Sequence, residues 1–291
     1  MNPNDYDEDG NNIVPCPICL DVHCPGNQFD ANGNKVGDGV CPEEEDFVKW
    51  HTQKEMDVVY ILGSGSKWQD NELRYSLRSL QYMPHRNVVI VGERPEWLQN
   101  IIHIPVDDTF APVHGGKFKN VIRKTIAACK DARVSDSFVL MNDDFFFMSD
   151  VNEIKPFSNG YLHEMIETYH DPKSQYYNVL LRTSRLLKQH GIDRPISYAV
   201  HYPIVYEKAK FLQMTETIDW LEKAYSWRTI YGNLFKIGDV GRLDPKVSTA
   251  EGFEAFTVKD FLSISDNLAL DPAFQKWIEE RFPQPSKYEI N

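Results

Sequence analysis

Asn142, Asp143 and Asp144 stand at an abrupt change of polarity. A short apolar run, residues 137–141, precedes them, and three phenylalanines, Phe145, Phe146 and Phe147, follow. Two adjacent carboxylates between such flanks are costly to leave without a counter-charge. A divalent cation supplies one, and Mg2+ and Mn2+ take hard oxygen ligands. The apolar run has the length of a buried strand. In open α/β sheets ligands bind at the carboxyl ends of strands, where this triplet falls. The competing explanation is a plain turn, because Asn-Asp after a strand is common punctuation.

A second group of chemically capable residues is Cys16, Cys19, Cys24 and Cys41, four of the five cysteines in the chain. Cys16-Pro17-Ile18-Cys19 is a C-x2-C knuckle, and such clusters read as structural zinc sites in a reducing compartment. His23 can replace one thiol, and free thiols in a loose tail are the alternative. Asp9-Gly10 and Asn32-Gly33 sit in two similar stretches, residues 6–14 and 29–36, each carrying a hairpin signal. Asp5, Asp7, Asp9 and Gly10 imitate the start of a calcium loop, but its twelfth position is Cys16 rather than Glu, which argues against calcium. Residues 1–50 are therefore expected to form a small zinc-knuckle module, and residues 51–291 the main domain.

Arginines form the third group. Arg74 and Arg78 lie one turn apart on a predicted helix that Asp70 or Asn71 begins, opposite Leu73, Leu77 and Leu80. They clamp an anionic ligand or are solvated. Arg182 and Arg185 repeat this spacing on a helix predicted over 176–189 and face solvent or a donor phosphate. His201 falls in a predicted apolar strand, 197–205, where a lone histidine is more often a packed core residue than a catalyst.

The elements that must position these groups follow from periodicity. Apolar runs at 56–62, 87–91, 101–105 and 137–141 read as strands, with helical segments at 71–80 and 117–130 between them. Such alternation predicts a mainly parallel sheet with helices on both faces. Gly63-Ser64-Gly65-Ser66 after the first strand matches neither a P-loop nor a dinucleotide fingerprint. Further helices are predicted over 207–225 and 271–281, the latter ended by Pro283.

Composition sets the class. The chain has 291 residues, 42% hydrophobic and 25% charged, which suits a soluble globular protein with a sizeable core. No apolar run reaches bilayer length, and the acidic start does not resemble a signal peptide, so the expected location is cytoplasmic. A net charge of −12 disfavours nucleic acid as the main partner.

Four blocks, in order, resemble the Stealth proteins, which include bacterial capsule sugar-phosphate transferases and the lysosomal-enzyme N-acetylglucosamine-1-phosphotransferase. Asp57-Val58-Val59-Tyr60 is similar to the first block. Residues 70–80, with Val88 to Val91 and Pro95-Glu96-Trp97-Leu98, resemble the second, which ends in Asn142-Asp143-Asp144. His201-Tyr202-Pro203 with Arg228 resembles the third, and residues 261–267 with 282–289 resemble the fourth. The resemblance implies a GT-A-like, Rossmann-like α/β domain that transfers sugar-1-phosphate or a glycosyl group from a nucleotide-sugar donor to a glycan or other hydroxyl acceptor. It implies His201, Arg228 and Asp266 as catalytic, and Asp57, Asn71, Arg74, Arg78, Asn142 and Asp143 as substrate-binding. It also implies Asp143 and Asp144 as ligands of Mg2+ or Mn2+. The chain departs from the pattern at Ile61 to Ser66, near Arg123, at Ser265 and in the cysteine module. These departures leave donor sugar and transfer chemistry open. Two other readings stand beside this one: a glycosyltransferase acting on a modified nucleic-acid base, and a non-catalytic carbohydrate- or protein-binding module.

Overall fold

The computed structural model describes residues 56–110, 115–249 and 260–290, all within one unit, Gln53–Asn291. The zinc module expected at 1–50, with Cys16, Cys19, Cys24 and Cys41, lies outside the described residues.

The first strand, β1 (Asp57–Leu62), leads through a loop to helix α1 (Asn71–Ser79), then to β2 (Val88–Gly92) and β3 (Ile102–Ile104). Helix α2 (Gly116–Lys130) and β4 (Ser137–Met141) follow. Val58, Tyr60, Val88, Ile90, Val139 and Met141 face one side of the sheet and pack on Leu73, Leu77 and Leu80. Val59, Val89, Val91, Phe138 and Leu140 face the other and meet Ala128 and Cys129. Both faces are covered, which is why these strands read as unbroken apolar runs.

Beyond β4 the chain forms β5 (Phe145–Phe147), α3 (Leu162–Thr168), α4 (Gln175–Gln189), β6 (Ile204–Glu207), α5 (Lys208–Thr217) and α6 (Trp227–Leu234). It continues with β7 (Lys246–Val247), β8 (Phe261–Ile264), α7 (Asp266–Ala269) and α8 (Pro272–Arg281). The central sheet has the order β3-β2-β1-β4-β6. Its pairs are parallel except β4–β6, so the fold is α/β with a mostly parallel central sheet. Strand order reverses between β1 and β4, and the carboxyl ends of these two strands flank the switch point. A small second sheet has the order β5-β8-β7, and its Phe145, Phe147 and Phe261 join the core cluster on one face of the central sheet. Among the described residues no helix is long and apolar enough to cross a membrane.

Two predicted elements differ. His201 is not in a strand, since β6 begins only at Ile204. The backbone before it bonds elsewhere: Tyr198 N–H donates to Thr229 Oγ1 at 3.1 Å, and Pro203 has no N–H to donate. The helix expected over 207–225 ends at Thr217. Its last threonines turn inward on the backbone, Thr215 Oγ1 donating to Leu212 O and Thr217 Oγ1 to Met214 O, which competes with helix continuation. The 271–281 helix starts as the sequence suggests, with Asp271 accepting from Ala273 and Phe274 N–H ahead of Pro272.

Asp57 opens β1 beside Phe138 at the start of β4, the opposite end of the sheet from Asn142. Its carboxylate is fully buried and accepts from Arg86 Nε and Nη2 at 2.8 and 2.7 Å. It also accepts from the backbone N–H of Asn87 at 3.1 Å and of Ser135 at 2.8 Å. No lone pair is left for a substrate, which corrects the substrate-binding role expected for it. Burial pushes this carboxyl up, but Arg86, the Ser135 amide and Asn87 outweigh burial and hold it below the usual range. A depressed folded value contributes stability that is complete above the unfolded value of about 4 and is lost as pH falls through the folded one. Asp57→Asn should lower stability by about 2 kcal/mol at pH 7. The loss should shrink below pH 4, as thermal melts from pH 2 to 7 would read; a pH-independent loss would show that the charge is not what matters.

Candidate active site

The segment 142–144 is a tight connection between β4 and β5, closed by Phe145 N–H donating to Asn142 O at 3.3 Å. The three phenylalanines that follow anchor it, all fully buried. Phe145 and Phe147 enter the core beneath α1, while Phe146 enters a separate cluster with Phe274, Ile278 and Phe282, so β5 is buried on both faces. Two serines of α1 clip the strand in place: Ser76 Oγ donates to Phe145 O at 2.6 Å, and Phe147 N–H donates to Ser79 Oγ at 3.1 Å. Asn142 is left exposed, with Asp143 and Asp144 half-buried.

Asp144 is held from the small sheet. Lys246 Nζ lies 3.0 Å from its Oδ2, and Ser263 Oγ donates to the same oxygen at 3.3 Å. Both partners are delivered by register, since Lys246 pairs with Ser263 across β7 and β8 and Ser263 with Phe145 across β8 and β5. Asp143 has no ion pair among the described residues. Burial first, then the charges of Asp144 and Glu72, push its carboxyl up to about 7.

Glu72 belongs to the same acidic wall. It is raised by burial and by the charges of Asp70 and Asp266, against an opposing bond from Ser66. Ser66 Oγ donates to Glu72 Oε2 at 2.9 Å and accepts from Asp70 N–H at 2.8 Å, which rolls the loop after β1 around one hydroxyl. Gln69 and Asp70 both take left-handed backbone conformations, with φ of 57° and 58°. Such conformations cost non-glycine residues on the order of 1 kcal/mol each, and the bonds to Ser66 help hold them. Asp70 makes no side-chain cap on α1, and Asn71 instead donates to Trp68 O and accepts from Arg74 Nε. Beneath the loop, Lys124 is buried, donating to Leu62 O at 2.5 Å and pairing with Asp108 at 2.6 Å.

His201 is 41% exposed on its side chain and pairs through Nδ1 with Asp244, at 3.0 and 3.1 Å to the two oxygens. Asp244 Oδ1 also accepts from Lys246 N–H at 3.3 Å. The Asp244 carboxyl is pulled up by burial and down, to a lower net value, chiefly by His201. An ionised Asp244 makes Nδ1 the protonated nitrogen and leaves Nε2 as acceptor. Arg228, on α6, donates through Nη2 to Tyr202 O. Its Nε is buried without a partner among the described residues, within electrostatic reach of Asp244. Asp266 sits at the rim, 77% exposed and 3.6 Å from Lys67.

Arg74 and Arg78 are engaged by a group of the chain itself. Arg74 Nη1 and Arg78 Nη2 reach Glu289 Oε2 at 2.8 and 2.7 Å, and Arg78 Nη1 donates to Phe282 O at 2.8 Å. The anion that meets them in this structure is the Glu289 carboxylate rather than a ligand. Arg182 Nε donates to Ala224 O at 3.1 Å, and Arg185 is exposed.

As they stand, no three described His, Cys, Asp or Glu side chains converge closely enough to hold a metal ion. The chemistry of the donor set nevertheless fits one. Asp143 and Asp144 are hard oxygen donors with more negative charge than their surroundings compensate, and an ammonium already stands in as a cation on Asp144. Mg2+ is commonly bound by one or two carboxylates with the remaining positions taken by substrate phosphate and water. Sequence reasoning missed Lys246, Asp244 and Glu72. The one signal available was Glu72 lying two residues from Asp70 in the loop-helix junction after β1.

No family model matches the chain, and no curated protein matches it. Among solved structures, the galactosyltransferase LgtC in complex with donor and acceptor sugar analogs has a TM-score of 0.40 and 13% identity, covering 77% of this chain and 83% of that one. Mouse xyloside xylosyltransferase 1, in its apo form, has a TM-score of 0.35 and 10% identity, covering 70% of this chain and 91% of that one.

Proposed function

We propose that this chain is a metal-dependent transferase with a GT-A-like domain, acting on a nucleotide-activated sugar. One observation carries the reading: an unbroken line of polar contacts from the carboxyl end of β4 to His201. It runs from Asp144 to the Lys246 side chain at 3.0 Å, from the Lys246 backbone to Asp244 at 3.3 Å, and from Asp244 to His201 at 3.0 Å. The line joins a cation-binding acid pair to an oriented base, the two parts that transfer from a diphosphate to a hydroxyl requires.

Asp143 and Asp144 are the residues that would hold Mg2+ or Mn2+. When bound, the cation supplies positive charge for the leaving phosphates. His201 Nε2 accepts the proton of the acceptor hydroxyl, with Asp244 keeping Nδ1 protonated and stabilising the imidazolium. Arg228, buried beside this pair, adds fixed positive charge where negative charge develops. Asp266 and Asn142, both exposed at the mouth, are placed to meet a polar acceptor. The resemblance of the four sequence blocks to the Stealth proteins supports a sugar-phosphate outcome, attack at the β-phosphorus rather than at the anomeric carbon. The acceptor is a glycan or another hydroxyl compound. Structural zinc on Cys16, Cys19, Cys24 and Cys41 belongs to the same proposal.

The test is a panel of nucleotide sugars incubated with Mn2+ or Mg2+, with and without chelator. Nucleoside monophosphate as product means sugar-phosphate transfer, and nucleoside diphosphate means glycosyl transfer. Absence of metal-dependent turnover across the panel would overturn the proposal.

A further inference from the structure

Lys246 occupies the place of a counter-ion on Asp144. Its ammonium is 3.0 Å from Oδ2, and its side chain is 27% exposed. The backbone beneath it is fixed twice, by the pairing of Lys246 with Ser263 across β7 and β8 and by the bond from its own N–H to Asp244. The strand therefore delivers the ammonium to one carboxylate. The four-carbon stem above that fixed backbone can swing away without moving the strand. Asp143, the neighbouring acid, has no ion pair among the described residues. Among the described residues, the one ion-paired ammonium at these two carboxylates is thus Lys246, with Lys117 acting on Asp143 only through its charge, and the two acids together suit a divalent cation.

A cation on Asp144 and an ammonium at the same oxygen repel each other, so the two states exclude one another. The displaced ammonium, still anchored at Cα, has a new partner only when an anionic group arrives with the metal. A donor diphosphate is such a group. Resting on the nucleotide-sugar reading above, we propose that Lys246 is a built-in counter-ion that competes with the divalent cation for Asp144 and transfers to the donor diphosphate when metal and donor bind together. Metal and donor are then coupled ligands: each binds weakly alone because Lys246 holds Asp144, and each strengthens the other.

The test titrates the full chain with Mn2+ alone, by calorimetry and thermal shift, and then with Mn2+ in the presence of UDP, GDP or ADP in turn. Lys246→Met keeps the aliphatic stem and removes the charge, and Lys246→Gln checks that the result does not depend on the replacement. Both variants should bind Mn2+ alone roughly tenfold tighter than the parent protein, and both should lose most of the extra affinity that the nucleoside diphosphate confers. Adding Asp144→Asn should abolish Mn2+ binding in either background. Equal Mn2+ affinity in parent and variants would overturn the counter-ion role while leaving metal dependence intact. No Mn2+ binding by any of the proteins, with or without nucleotide, would overturn both.

Discussion

Asp144→Asn should lower metal-dependent turnover by about a hundredfold or more while the protein stays folded. The substitution keeps the shape of the side chain and removes its charge. It takes away a hard oxygen ligand and with it much of the charge stabilisation that a bound cation gives to leaving phosphates, an effect commonly worth several kcal/mol. Stability should change little. The Asp144 and Lys246 side chains are 18% and 27% exposed, so their ion pair is partly screened and contributes on the order of 1 kcal/mol. Against that loss, removing one of two adjacent carboxylates relieves the repulsion that raises Asp143. The turn explanation makes the opposite forecast. If Asn142, Asp143 and Asp144 only connect β4 to β5, Asp144→Asn affects folding at most, and activity follows the folded fraction. Thermal shift with and without Mn2+, run beside nucleotide-sugar turnover, separates the two. A variant that keeps both its Mn2+ shift and its turnover would reduce the triplet to a turn.

The central sheet was legible because its strands are buried on both sides and therefore apolar without interruption. Residues 57–62 and 137–141 could be seen, and with them the carboxyl end where the acid pair lies. What escaped were relations made by register between distant strands. Lys246 reaches Asp144 only because β7 pairs with β8 and β8 with β5, and a two-residue strand leaves no periodic trace. Asp244 follows from the same geometry. His201 was found, but in the wrong setting. An apolar neighbourhood suggested a strand, whereas Pro203 and the bond of Tyr198 to Thr229 hold the segment open, leaving the imidazole half-exposed beside its carboxylate. Asp57 shows the converse error. It was grouped with substrate residues through its sequence block, although a carboxylate at the amino end of a parallel strand lies far from the switch point and here finds Arg86.

Glu289→Gln should destabilise the fold by about 3 kcal/mol or more, because it leaves the buried Arg78 charge without its partner, and Arg78→Ala by about 2 kcal/mol, because Glu289 then keeps only Arg74. Spacing alone shows that Arg74 and Arg78 share a helical face; it cannot show that the face is already taken by a carboxylate 211 residues away. Glu289 is 1% exposed on its side chain and Arg78 11%, and the guanidinium makes two bonds to the carboxylate, Nε to Oε1 at 2.9 Å and Nη2 to Oε2 at 2.7 Å. Burial raises the Glu289 carboxyl, but Arg78, the Ser286 amide and Arg74 together hold it below its usual range. The pair ties the end of the chain to α1, the helix whose Ser76 and Ser79 clip β5 beneath the acid pair. Arg74 is 26% exposed and also lies 4.2 Å over the Trp97 ring, so Arg74→Ala should cost less. With both changes only the more exposed Arg74 is left without its carboxylate, so Arg78→Ala combined with Glu289→Gln should destabilise less than the sum of the single changes. Urea denaturation of the parent, the two single variants and the double variant gives the coupling directly. If Arg78→Ala instead melts like the parent protein while turnover collapses, the arginine serves the substrate and the ion pair with Glu289 is incidental.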